Sequence, residues 1–503
     1  MHRIYLVSPY THVKSVSPHY SLEYIKFYLM DHGYDAEVID CSHYGPGLEG
    51  VIAKLNEGEK PIIGITAYTR ERFAAYDLIR RIRNDIPDSL IVVGGRHFTY
   101  LADEALKNLP EIDIVVRGEG EITFKEICDS VYNKISINEI RGISFKEEGK
   151  IVHTSERPLE HNLDLFRNYD KDHLPDPNRY SLVGELYKVG GTKGEGFLKG
   201  FAIFTTRGCP SRCVFCSLTV AKVRYRSIDS VLDEIEEKIK ITGARGVIFK
   251  DPSLTAVKKH VKELCEKIIE RNLNIQWVCY SRVDIELELL KLMKRAGLIG
   301  VETALESGSP RVLKAIKKRI DIDKFTRFCI EAYNLEIKVF VFCMVSLPDE
   351  KLEDVDMTIS LINKLSKYIY TVSGLQATRI LPDAALYNIA KERKVLPDDF
   401  DWFKPYTSET NPRIANPDYS TVPLYLEHLS QADIIEKINK FDMIAKANFT
   451  QFHSIKRAFL SNLKLQNMKY ITLSDFRRKV GKAFVMLKSA YRNRNRKELK
   501  YFQ

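Results

Sequence analysis

The chain has 503 residues, 44% hydrophobic and 29% charged, enough apolar material for two to four packed domains and too ordinary a mixture for a disordered or fibrous protein. Its longest apolar run, "VFVFCMVSL" at 339–347, is strand-length, so no stretch approaches the roughly 18 residues of a membrane-spanning helix. Nine cysteines in no paired pattern point to a reducing cytoplasm, and the net +10 is concentrated: residues 451–503 hold fourteen Lys plus Arg against two acids.

The first segment, "RIYLVS" at 3–8, reads as a strand and not as a signal peptide. Up to about residue 135, the strand-like "AEVID", "PIIGIT", "LIVVGG" and "DIVV" alternate with amphipathic stretches, and five such βα units predict a parallel, doubly wound, flavodoxin-like sheet. Such sheets bind ligands beyond the carboxyl ends of their strands. Those ends carry Thr66 and Tyr68 in "ITAYTR", Gly94 and Gly95 in "VVGGRHFT", and Gly118 and Glu119 in "VVRGEGE". Paired glycines also serve any tight strand-to-helix turn, so alone they do not decide.

Residues 136–195 offer a hairpin, "GISFKEEGKIVHT", and then a polar linker able to wrap an active site. Over 196–400 the alternation resumes with "FAIFTT", "GVIFKD", "IQWVCYS", "GVETALES", "VFVFCMVSL" and "GLQATRI". Six βα units predict a partial (β/α)6 relative of the TIM barrel, with its chemistry at the carboxyl ends of the strands. Residues 401–503 read as a mainly helical, basic region.

After the first barrel strand comes "TTRGCPSRCVFCSL", with Cys209, Cys213 and Cys216. Spacings of four and three would also suit a buried helical stripe, but Gly208 and Pro210 straddle the first cysteine and favour a loop. A structural zinc needs a fourth ligand at short spacing, and no Cys or His follows before His260. Three thiolates can hold three irons of a [4Fe-4S] cluster and leave the fourth open.

With Phe215 before its last cysteine, the stretch resembles the C-x3-C-x2-C signature of radical S-adenosylmethionine (SAM) enzymes. The resemblance implies a partial TIM barrel in which the amino and carboxylate groups of SAM chelate the open iron. One electron, from an external donor such as flavodoxin or ferredoxin, then cleaves SAM to a 5'-deoxyadenosyl radical. Glu306 in "TALESGS" matches the family's G-x-E-S-like element contacting SAM, with Ala304 in place of glycine. Asp251 in "FKDPS" and Arg282 in "CYSRVD" stand where the family places polar contacts to SAM; a helix cap and a surface ion pair are their alternative roles. "SLPDE" at 346–350 stands where relatives show G-x-P-G-E, with both glycines replaced.

The three strand-end stretches ahead of that signature resemble the cobalamin-binding domain of cobalamin-dependent radical SAM enzymes. The histidine motif D-x-H-x-x-G is absent, and "DHG" at 31–33 reads as a helix end, so the resemblance implies cobalamin with no protein histidine on cobalt. Arg70 or Arg72 either approaches the lower face of the corrin or belongs to a solvated helical turn.

The expected function is a cobalamin-dependent radical SAM methyltransferase acting on an unactivated carbon, consuming two SAM per product. Ring formation or carbon rearrangement without methyl transfer is the alternative, and the substrate stays open among lipids, protein side chains and small natural products. A nucleic-acid-binding role would leave both α/β units unexplained, so no nucleic acid partner is expected. In the tail, Phe476, Val480, Phe484, Leu487 and Tyr491 fall along one helical side, with seven Lys and Arg over much of the rest. That segment is either a packed helix with a solvated face or a basic helix resting on the inner, anionic membrane surface, where it would favour a lipid substrate.

Overall fold

The near-continuous apolar strands of the amino-terminal unit are those of a sheet covered on both faces. The computed structural model describes residues 3–11, 17–43, 47–132, 135–167, 169, 200–217, 222–406 and 421–445. Most of the linker and the basic segment 476–494 lie outside them. Strands β1 (Ile4–Ser8), β2 (Ala36–Asp40), β3 (Ile62–Thr66), β4 (Leu90–Gly94) and β5 (Ile114–Val116) run parallel. Alternate residues feed two cores: Val7, Ile65 and Val93 pack against Ile79 and Ile82 on one face, and Leu6, Val92 and Ile114 against Phe124 and Ile127 on the other.

The hairpin β6 (Ile143–Glu147) and β7 (Lys150–His153) is no part of a linker. It pairs antiparallel with β5 and extends the sheet to the order β2-β1-β3-β4-β5-β6-β7. Without it, β5 would be an open edge with unpaired backbone groups.

The second unit begins with β8 (Gly200–Ile203) and a short antiparallel ribbon, β9 (Thr206–Arg207) with β10 (Arg224–Tyr225). It continues with β11 (Gly246–Phe249), β12 (Gln276–Tyr280), β13 (Leu298–Glu306), β14 (Lys338–Val345) and β15 (Thr371–Ala377). Six strands form one parallel sheet in chain order from β8 through β11 to β15. Their outward side chains, among them Phe249, Trp277, Val301 and Val341, share a core with the surrounding helices. The helix Gln431–Ala445, from the region after the barrel, joins that core through Ile434 and Phe441, and its Lys437 and Lys440 pair with Asp356 at 2.6 and 2.8 Å.

Charge holds the two units together. Glu119, on the loop after β5, takes both terminal nitrogens of Arg224 on β10, and Arg207 on β9 lies 3.4 Å from Glu119 and 2.6 Å from Glu121. Tyr24 and Phe166 flank the Arg207 guanidinium, their ring centres 5.1 and 4.9 Å from it. On the other side Arg72 is fully buried with no carboxylate and donates to the carbonyls of Thr69, Trp402 and Thr421 and to Thr421 Oγ1. It is therefore an interior staple, and neither the corrin contact nor the solvated turn expected of it. Burial pushes its pKa down to about 10.

Burial opposes ionisation of Glu119, but Arg224 and Arg207 outweigh it and hold the carboxyl below its ordinary value. The stabilisation is complete above the ordinary carboxylate range and is lost as pH falls through that depressed value. Glu119→Gln strands the buried Arg224 charge and is expected to cost about 3 kcal/mol. Denaturant titration checks this, and hydrogen exchange of β9 and β10 should rise before that of the barrel strands.

Candidate active site at the cysteine loop

The cysteine loop hangs between β9 and β10, and its stem is fixed from below by Asp251. That carboxylate is fully buried, and its Oδ1 accepts from the amide and hydroxyl of Thr205 (2.9 and 3.0 Å) and from the amide and hydroxyl of Thr206 (the hydroxyl at 2.6 Å). Asp251 thus neither caps a helix nor turns this oxygen toward SAM; it latches the end of β8 to β11. The loop's middle is fixed by Val214, whose amide donates to Ile316 O at 3.1 Å and whose carbonyl accepts from Leu386 N at 2.8 Å. Phe215 lies partly buried between the groups around Ile316 and Leu386.

Pinned this way, Cys209, Cys213 and Cys216 are all half-buried and form no disulfide. Burial raises the Cys213 thiol pKa; Cys216 and Glu306 add to the rise, while Lys318 and Arg282 oppose it. These five groups therefore share one electrostatic environment. A single tetrahedral zinc would hold sulfurs about 3.8 Å apart. Among the described residues the one trio with ligand atoms within 4.8 Å of one another is Asp349, Glu427 and His428, not the cysteines.

Glu306 ends β13 in the left-handed region (φ 66°), and its carboxylate pairs with Lys318 at 2.8 Å in a nearly buried contact. Arg282 donates to Ser211 Oγ inside the cysteine loop at 3.1 Å and to the carbonyls of Lys318 and Arg319 at 3.1 and 2.7 Å. Glu306, Arg282 and the loop thus come together, and Arg282 also makes the surface ion pair that was its alternative role, with Asp284 at 3.5 Å. Lys318, which sequence reading missed, joins them; in "IKKRI" it reads as one of several surface cations. In the turn 346–350 both residues replacing glycine keep left-handed backbones, Ser346 at φ 64° and Asp349 at φ 63°. Ser346 Oγ donates to Tyr425 O and the Asp349 amide to Glu427 Oε2, which holds the strained turn in place. Glu350 beneath it is buried and accepts from Leu347 N at 3.1 Å, and burial pushes its pKa up to about 8.

At the flavodoxin-like sheet, Thr66 and Gly94 are register partners at the carboxyl ends of the parallel strands β3 and β4. Gly95 (φ 84°) has no room for a side chain, because a Cβ would stand 2.5 Å from Thr66 Oγ1. Gly118 (φ 87°) faces open space, and Tyr68 is well exposed beside the Arg70 guanidinium. Thr66, Gly94 and Gly95 thus meet at one carboxyl-end turn of the sheet. The Glu119 carboxylate is held by Arg224 and Arg207. His97, two residues past Gly95, is no candidate for cobalt: it is fully buried, with Nε2 2.5 Å from Tyr76 OH, and burial holds it neutral with a pKa of about 3. Arg96, between them, reaches the other unit and donates to Ser217 O, next to Cys216, and to Asp383 at 3.1 Å.

Residues 10–128 match the B12 binding domain family and residues 203–362 the Radical SAM superfamily. An uncharacterized methyltransferase of Pyrococcus horikoshii is 30% identical over 336 residues, 66% of this chain and 70% of that protein. The anaerobic magnesium-protoporphyrin IX monomethyl ester cyclase of Rubrivivax gelatinosus is 30% identical over 60% of this chain and 54% of its own length. A radical SAM methyltransferase from Kitasatospora setae, solved with cobalamin and a [4Fe-4S] cluster, superimposes with a TM-score of 0.67 at 18% identity, over 97% of this chain and all of that one.

Metal analysis separates the two halves of the site. Replacing Cys209, Cys213 and Cys216 together by alanine should take iron from about four per chain to near zero. Gly95→Val should abolish cobalt uptake on reconstitution with cobalamin while iron remains, because the new side chain displaces Thr66 and the loop from β3.

Proposed function

Because the chain belongs to the cobalamin-dependent radical SAM enzymes, we propose that it methylates an unactivated carbon of an organic substrate held between its two units. The observation that carries this reading is Arg96, which ties the Gly94–Gly95 loop to the carbonyl of Ser217 beside the last cysteine. When bound, the cluster with SAM supplies a hydrogen-abstracting radical, and cobalamin supplies the methyl group. Cys209, Cys213 and Cys216 hold the cluster, and Glu306, Lys318 and Arg282 fix the charged surroundings of its open side. The ion pairs of Glu119 and Glu121 with Arg207 and Arg224, together with Arg72, close the units over the site and keep water from a reactive centre.

The reading takes a one-electron protein donor of the flavodoxin or ferredoxin type as partner. Among the described residues no helix is long and apolar enough to cross a membrane. We place the enzyme in the cytoplasm, with the basic segment 476–494 as its candidate for peripheral contact with an anionic membrane. Similarity to a cyclase supports a second reading, ring formation without methyl transfer.

Product analysis under anaerobic reduction decides between the two. Methyl transfer should release S-adenosylhomocysteine and 5'-deoxyadenosine in equal amounts, with two SAM consumed per product. Ring formation should give 5'-deoxyadenosine without stoichiometric S-adenosylhomocysteine. Paramagnetic resonance of bound cob(II)alamin should show no nitrogen splitting from a protein histidine.

A further inference from the structure

Side chains alternate along each barrel strand, and the outward set is accounted for by the helix-facing core. The alternate residues line the concave interior. In register across the sheet, one rung of that interior reads Lys250, just past β11, then Tyr280, Glu302, Phe340 and Thr371. The next rung toward the carboxyl ends contains Arg282, Ala304 and Phe342. Since Arg282 touches the cysteine loop, the lower rung sits about 7 Å deeper, two residues along a strand.

The interior is reached by solvent. Lys250, Tyr280, Ala304, Phe342 and Met344 are all partly exposed, while the outward Phe249, Cys279, Val341 and Cys343 are buried. Ala304, Phe342 and Met344 give it an apolar wall, and its floor sets Lys250, Tyr280 and Glu302 side by side in register. The Lys250 ammonium donates to Tyr280 OH at 3.4 Å, and Tyr280 stands beside Glu302 in register. Glu302 is 2% exposed, yet its Oε1 has no hydrogen-bond partner.

A buried carboxylate oxygen without a donor costs free energy unless something else provides the hydrogen bond. Burial pushes Glu302 up to about 7 against the pull of Lys250 and Tyr280, and burial likewise lowers Lys250. A rung built only for stability would be apolar or fully satisfied. Apolar walls around a few convergent polar groups make up the usual lining of a small-molecule site.

We propose that Glu302, Tyr280 and Lys250 anchor the substrate at the barrel floor, and that the substrate is a small organic molecule whose amine donor is received by Glu302 Oε1 and whose apolar body lies along Phe340 and Phe342. That the occupant is a substrate rests on the functional reading above. The site itself rests on the rung. An amine is the favoured donor because it offers both a hydrogen bond and a charge opposite to Glu302. The adjacent Lys250 ammonium accommodates an acceptor on the same molecule. A plain hydrocarbon chain would leave Glu302 as it is.

The test uses the full chain with its cluster reconstituted, and phenethylamine and 3-phenylpropionate as probes followed by saturation-transfer NMR. Phenethylamine should bind the natural chain, and Glu302→Met should weaken it at least about tenfold, the loss of one charge-assisted hydrogen bond. Glu302→Gln, which keeps an acceptor oxygen, should restore part of the binding. 3-Phenylpropionate should respond to Lys250→Met and not to Glu302→Met. The thermal midpoint of Glu302→Met should equal or exceed that of the natural chain, since the substitution removes an unsatisfied polar atom. Equal phenethylamine binding in the natural chain and Glu302→Met, or a lower melting midpoint in that variant, would overturn the anchor and show a structural rung. Absence of 5'-deoxyadenosine from the natural chain with the probe result intact would overturn the functional reading and leave the site standing.

Discussion

Two arginines on the short strands flanking the cysteine loop, Arg207 and Arg224, deliver their charge to Glu119 and Glu121 of the other unit. The rest of the molecule depends on that arrangement, because a radical enzyme with two cofactors must hold both against one closed space. Arg224 is buried, so its charge is tolerated only with Glu119 in place. The same contact that closes the site therefore enforces its own occupancy. Arg96 adds a second tie directly between the Gly94–Gly95 loop and the cysteine loop, and Arg72, packed by Phe73 and Trp402, adds a third without a carboxylate.

Around the cysteine loop, rigidity comes from the backbone and from one carboxylate. Asp251 gathers four donors from two consecutive threonines and so fixes the direction in which the chain enters the loop. The adjacent strand ends carry their own constraint: Glu306, the last residue of β13, and Ser346, just past β14, both hold left-handed backbones. Such conformations cost about 1–3 kcal/mol each and persist where the surroundings over-determine them. Their place at the mouth of the barrel fits a site whose geometry is set before ligands arrive.

The barrel interior divides into two levels with different tasks. At the upper level Glu306 pairs with Lys318, and Arg282 ties the Lys318 carbonyl to Ser211 of the cysteine loop. At the lower level the row from Lys250 to Glu302 remains unbalanced at one oxygen. Polar groups left unsatisfied in an otherwise well-packed protein are where function is most often stored.

The sequence by itself determined much of this protein. Five apolar strands alternating with amphipathic helices implied the parallel sheet, six further units implied the open barrel, and glycine and proline around Cys209 put the thiols on a loop. Those features are local: burial on both faces makes a strand apolar, and turn residues reveal themselves by backbone freedom. Gly95 was legible for the same reason, since only glycine fits beside Thr66. What only the tertiary structure decided were the long-range pairings. Nothing in "VVRGEGE" shows that Glu119 belongs to an arginine 105 residues away, nor in "YTRER" that Arg72 is enclosed by residues 402 and 421. Asp251 could not be told from a helix cap until Thr205 and Thr206 were seen against it, and "GVETALES" did not reveal that Glu302 turns inward while Val301 turns out. A charged side chain carries no local record of its partner, because Coulomb attraction and desolvation act through space between segments that only folding brings together.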